Sequence, residues 1–209
     1  MKKLVTIFII LAIFLAGAEV WSQETVIYTT GFESEEGFTA GTTYNNTDIK
    51  LDGPIGLQWG TFYGTASTTS PISGGQSMQM RWYTSATENI GYTFMDFDLP
   101  NVTKVEFTAK NALGLNVLVS HSIDGGDNYQ GEELFALETS PTNNTYHISP
   151  TGEFSQVRLK FQIALPDPVP GGTSRLYLDD IIIYGISEEN EPPAISNIVQ
   201  TPDSDIDSS

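Results

Sequence analysis

Two adjacent carboxylates, Asp179 and Asp180, stand inside the stretch "RLYLDDIIIYG" (Arg175 to Gly185). Paired hard oxygens of this kind suit a calcium ion, which takes six to eight ligands from carboxylates and carbonyls. The flanking Leu, Tyr and Ile residues favour a strand while the aspartates disfavour one. Successive strand residues face opposite sides, so one aspartate would enter the core unless a bulge or an ion intervenes. A buried, unpaired carboxylate costs several kcal/mol, which a cation would offset. The alternative places Asp180 at a sheet edge with both groups solvated.

Other chemistry is sparse. Asp96 and Asp98 share a strand face about 7 Å apart by the two-residue repeat, a spacing that glycosidase carboxylates also use. Solubility of an edge strand explains the pair better. Asp124 and Asp127 in "DGGDN" have the composition of a hairpin, with calcium as the second reading. His121 falls on the apolar face of its strand and reads as a buried, hydrogen-bonded core residue. His147 has no acidic neighbour at metal-binding spacing. Neither a Gly-x-Ser-x-Gly elbow nor a phosphate-cradling loop is present. The expectation is a protein without catalysis.

The elements that hold these residues are short alternating runs. In "SMQMRWYTS", Met78, Met80 and Trp82 oppose Gln79, Arg81 and Tyr83. "KVEFTAK", "LNVLVSHSI" and "QVRLKFQIAL" alternate in the same way, and "TVIYTTGF", "IGYTF" and "LYLDDIIIYG" complete the set. No long stretch has helical periodicity. About eight such strands, joined by Asp-Gly and Pro/Gly turns, predict an all-β protein, a β-sandwich of antiparallel sheets.

Residues 1–22 read as a secretory signal peptide, with Lys2 and Lys3 before an apolar run from Leu4 to Leu15. The run is short for a membrane span, so no membrane insertion is expected after its removal, and the localisation is secreted or cell surface. With no cysteine, disulfides cannot stabilise an exported domain. The formal charge is −17, which argues against nucleic acid as a partner because phosphates are repelled. A domain over 24–185 is followed by an acidic, Pro-ended linker at 186–193. Residues 194–209 open an incomplete immunoglobulin-like module or form a disordered tail.

Three pieces, "GFESEEGF", "SHSIDGGDNY" and "SRLYLDDIIIYG", resemble the secreted jelly-roll domains of Bacteroidetes. Those are related to carbohydrate-binding modules and to the anchor-associated jelly rolls of large exported proteins. The resemblance covers roughly Thr25 to Gly185. It implies a two-sheet jelly roll in which the first and last strands meet at a structural calcium. Carried over, the ligands are Glu33 and Asp179, with Asp180 as the other choice.

Sugars are bound by aromatic planes and hydrogen-bonding side chains on a sheet face or in loops. "LQWGTFYG" supplies Trp59, Phe62 and Tyr63 in a Gly-rich, loop-like stretch. Arg81 and Tyr83 lie on the polar face of their strand, and Tyr129 caps the Asp-Gly hairpin. The expected ligand residues are therefore Trp59, Tyr63, Arg81, Tyr83 and Tyr129. Outward basic residues could recognise acidic polysaccharide, although balance of an acidic surface is the simpler reading. A secreted, monomeric, non-catalytic module with structural calcium follows, binding polysaccharide or a cell-surface glycan as the N-terminal accessory part of a larger exported protein. The alternatives are the targeting domain of a hydrolase or nuclease, and an architectural adhesin spacer.

Overall fold

The computed structural model describes residues 24–83, 90–111, 113–148, 156–169 and 172–186. Residues 1–22, read as a signal peptide, and residues 194–209 lie outside them, as does the expected linker except for Ile186, which belongs to the last strand. The described chain is all-β, with twelve strands: β1 (Glu24–Thr30), β2 (Ile49–Asp52), β3 (Gln58–Phe62), β4 (Gly64–Ser67), β5 (Ser77–Trp82), β6 (Tyr92–Met95), β7 (Val102–Asn111), β8 (Asn116–Ser122), β9 (Gln130–Ala136), β10 (Thr142–His147), β11 (Arg158–Ala164) and β12 (Ser174–Ile186).

They form two antiparallel sheets. The first runs β10-β7-β12-β5-β4, with β1 also paired to β12. The second runs β2-β3-β6-β11-β8-β9. One apolar core lies between them, and both sheets supply it: Phe107 of the first meets Phe161 of the second, edge to face, at 5.2 Å between centroids. Burial of each such side chain contributes about 1.5–3 kcal/mol. The alternation read in the sequence is the alternation of burial in β11, whereas in β5 Ser77 and Gln79 of the other face are buried too. Met78, Met80 and Trp82 of β5 face inward, as do Leu159, Phe161 and Ile163 of β11.

The first sheet has an uncommon arrangement along β12. On one edge β12 pairs with β7 throughout. On the other it pairs first with β5, up to Leu178 opposite Met78, and then with β1, from Ile181 opposite Thr30. Two strands thus lie end to end against one, and Asp179-Asp180 falls at the join. The β7 ladder is bulged there, between Asp179 and Ile182. Asp180 takes a left-handed conformation, with φ 48°. The bulge shifts the phase of β12 by one residue, so that Leu176 and Leu178 before it and Ile181 and Ile183 after it all face the core. A bulge adds one residue for this purpose, and aspartate tolerates φ > 0 better than its β-branched neighbours.

Candidate functional site

Where β5 and β1 abut, several backbone N–H groups have no ladder partner, and an unpaired buried donor is costly. Three acidic side chains accept them. The Asp179 carboxylate accepts from Ser73 N at 3.0 Å and Asp180 N at 2.9 Å, and from Ser77 Oγ at 2.8 Å. Glu33 accepts from Gly75 N at 3.0 Å and Gln76 N at 3.1 Å. Glu36 accepts from Gly31 N at 3.0 Å and Glu33 N at 3.1 Å. Asp180, exposed, accepts from Ser73 Oγ at 2.7 Å.

The three residues singled out in the sequence therefore do converge. A Cβ on Gly31 would stand 3.4 Å from Asp179 Oδ1 and 4.0 Å from Glu33 Oε1, so those two oxygens flank it. Glu33 and Asp180 line an open cleft of about 520 Å³. Asp179 is fully buried, and burial pushes its carboxyl above the usual range against the hydrogen bonds it accepts. No Lys or Arg pairs with Glu33, Asp179 or Asp180 among the described residues. Among these residues, too, no three His, Cys, Asp or Glu side chains stand together at metal-holding spacing. The donors are hard oxygens of the kind calcium takes, but several of their lone pairs already serve the backbone.

Trp59 is a correction. It is 0% exposed, its Nε1–H donates to the Tyr28 hydroxyl at 2.9 Å, and Phe32 meets it edge to face at 5.3 Å. The stretch "QWGTF" is strand β3, not a loop. Trp59 and Thr61 point inward, and Gly60 is the outward position over which the Phe94 ring lies. A Cβ there would fall 2.0 Å from that ring, so the glycine marks close approach.

The outer face of the second sheet carries aromatic rows instead. Gly60, Phe94 and Lys160 are in register across β3, β6 and β11, and so are Phe62, Tyr92 and Gln162. Phe62 and Tyr92 stack at 5.1 Å with their planes 15° apart. Lys160 Nζ lies 4.3 Å from the Tyr92 centroid and 5.5 Å from that of Tyr129, and burial among the rings pushes its ammonium down. Tyr129 thus belongs to this face. Tyr63 (φ 45°) continues the band around the sandwich edge, 4.7 Å from Phe62 and 5.7 Å from Tyr83. Arg81 closes it, with its guanidinium 3.9 Å from the Tyr83 centroid. The sequence "IGYTF" reads as a strand, but alternation alone does not show that Tyr92 and Phe94 face outward, because all of its side chains but the glycine and threonine are apolar or aromatic.

The remaining candidates have structural partners. Arg158 binds Asp98 at 2.6 Å and Asp96 at 3.3 Å, and Lys50 also pairs with Asp96, so both carboxylates are ion-paired in the turn after β6. The Asp124 carboxylate accepts from Asn128 N at 3.0 Å and from Ser122 Oγ at 2.6 Å; these bonds bring its pKa down to about 2. His121 Nδ1 lies 2.6 Å from the Tyr146 hydroxyl, which itself donates to the Gly131 carbonyl at 2.7 Å. That order puts the imidazole proton on Nδ1. No described helix is long and apolar enough to cross a membrane.

No family model and no curated protein matches the sequence. Solved structures do match. The K3 cleaved adhesin domain of Lys-gingipain from Porphyromonas gingivalis is 14% identical with a TM-score of 0.50, over 78% of this chain and all of that one (100%). A family 29 carbohydrate-binding module is 16% identical with a TM-score of 0.46, over 78% and 89%. A family 61 module, solved with β-1,4-galactotriose, is 11% identical with a TM-score of 0.42, over 61% and 88%. At such identities the likeness concerns the fold alone, and it agrees with the two-sheet topology: the chain is a β-sandwich of the jelly-roll kind, as in the gingipain adhesin domain.

Proposed function

We propose that the protein is a secreted, non-catalytic module that binds polysaccharide or a cell-surface glycan on the outer face of its second sheet. The observation that carries this reading is the row of half-exposed rings, Phe62, Tyr92, Phe94 and Tyr129, flanked by Lys160 and Gln162. Their faces suit the apolar faces of pyranose rings, and Gln162 and Lys160 suit sugar hydroxyls. The carbohydrate-binding modules and the adhesin domain described above are named for comparable roles.

A structural calcium belongs to the same proposal, with Glu33 and Asp179 as ligands and Asp180 beside them. Its support is the fully buried Asp179 carboxylate, which no described cation pairs. Export rests on the signal peptide read at residues 1–22. Affinity electrophoresis against neutral mannans, galactans and glucans tests the binding reading. Retardation by at least one polymer is expected, weakened by Tyr92→Ala with the melting temperature preserved. A well-folded protein that no polymer retards would favour the architectural spacer.

A further inference from the structure

In a chain of formal charge −17, three basic residues gather on the outer face of the first sheet. Arg81 of β5 and Arg175 of β12 are directly opposite one another, and Lys110 of β7 is opposite Tyr177. None of the three has a carboxylate partner among the described residues, whereas Lys50, Lys104 and Arg158 all do. Like charges directly opposed across a ladder repel and destabilise the pair. Here aromatic faces hold them: Tyr44 lies 5.2 Å from the Arg81 guanidinium and 5.9 Å from that of Arg175. Arg81 Nε is buried with no hydrogen-bond partner among the described residues. Arg81, Arg175 and Tyr177 line a cleft of about 360 Å³ with Leu113, Thr173 and Ser174.

We propose that this cleft binds a uronic-acid residue of a polysaccharide, its carboxylate held between Arg81 and Arg175 and its ring against the neighbouring tyrosines. A guanidinium presents a planar fork that fits a carboxylate through two parallel hydrogen bonds. A bound carboxylate relieves the repulsion between the arginines. The net negative charge of the chain does not prevent this. At physiological salt the screening length is about 8 Å, so the two guanidinium groups dominate the potential inside the cleft. The ligand class rests on the glycan-binding reading above, but the site lies on the other sheet and fails or stands separately.

The test is isothermal titration of the full mature chain with polygalacturonate, alginate, neutral galactan and dextran sulfate. Uronate polymers are expected to bind, and Arg175→Ala, at an exposed position, is expected to weaken them at least about tenfold. Arg81→Lys keeps the charge but loses the fork and should weaken them as well, with unchanged melting. Tyr92→Ala should leave uronate binding intact while weakening neutral polymers, so a failed aromatic face is distinguishable from a failed cleft. Uronate binding that survives Arg175→Ala, or no uronate binding, overturns the proposal. Dextran sulfate bound as tightly through the same arginines overturns the uronate assignment.

Discussion

Ser73 donates its backbone N–H to Asp179 Oδ2 at 3.0 Å, across 106 residues of chain. The contact joins the loop before β5 to the bulge of β12, where β5 gives way to β1. It gives the paired aspartates a role in the backbone beside any role in holding an ion. Asp179 serves donors that no strand can reach, and Asp180 supplies the turn that restores the inward phase of the isoleucines.

The two aspartates should therefore differ under substitution. Asp179→Ala leaves the buried Ser77 Oγ and the partly buried Ser73 N and Asp180 N without their acceptor, at about 1–3 kcal/mol for a fully buried donor and less for the others. A loss of roughly 3 kcal/mol lowers the melting temperature of a domain this size by about 6–12 °C. Asp180→Asn should cost little, because asparagine also accepts a left-handed backbone. Equal losses in thermal melts would contradict the division of roles.

Calcium adds a separate test. If an ion joins Glu33 and Asp179, free calcium at about 100 times its dissociation constant contributes about 2.7 kcal/mol. The melting temperature then rises by roughly 5–10 °C over a chelated sample, and Asp179→Asn removes most of that rise. Melting curves that coincide with and without chelator would leave the carboxylates a hydrogen-bonding role alone.

Gly74 and Gly56 make a matched pair. Both have positive φ, 54° and 78°, but a Cβ on Gly74 would fall 1.9 Å from Glu33 Oε1, and one on Gly56 meets nothing within 4 Å. Gly56→Ala should cost about 1 kcal/mol, the backbone strain alone. Gly74→Ala should cost more, since it also displaces the carboxylate that holds Gly75 N and Gln76 N. Denaturant titration of the two variants would show the difference, and equal midpoints would refute it.

Acid sensitivity should trace in part to His121. Burial pushes its imidazole below the usual value, which is about 6.5 in an unfolded chain. Between the folded pKa and 6.5 the unfolded chain binds more protons. Stability is therefore complete above pH 6.5, falls as pH drops to the folded pKa, and is flat below it. Thermal melts of His121→Gln should vary less with pH across that window than those of the wild type. Parallel profiles would show that His121 does not contribute.

Much of this was legible in the residues, for reasons that also explain the gaps. Strands with one buried face announce themselves, as β5, β7, β8 and β11 do through Met78/Met80/Trp82 or Leu159/Phe161/Ile163. Strand β9, "QGEELFA", is an edge strand exposed along most of its length, so it carries little apolar signal. Strand β10, "TNNTYH", buries Tyr146 but otherwise has the composition of a loop. Trp59 was misplaced because Gly60 and Gly64 imitate a turn, when Gly60 makes room for Phe94. Glu33, Asp179 and Asp180 could be found because carboxylates among apolar strand residues need a reason. Arg175 and Tyr92 could not, because their neighbours are set by strand pairing across tens of residues.

The strand that completes the first sheet is the last one made among the described residues. Strand β12 carries β7 on one edge and both β5 and β1 on the other, so none of these ladders can begin before Ser174 has been synthesised, and the β1 ladder is complete only with Ile186. At about 5–20 residues per second, β1 waits roughly 8–30 s for the one strand it pairs with among the described residues. Throughout that interval the edges of β1, β5 and β7 that β12 will cover stay unpaired in the nascent chain.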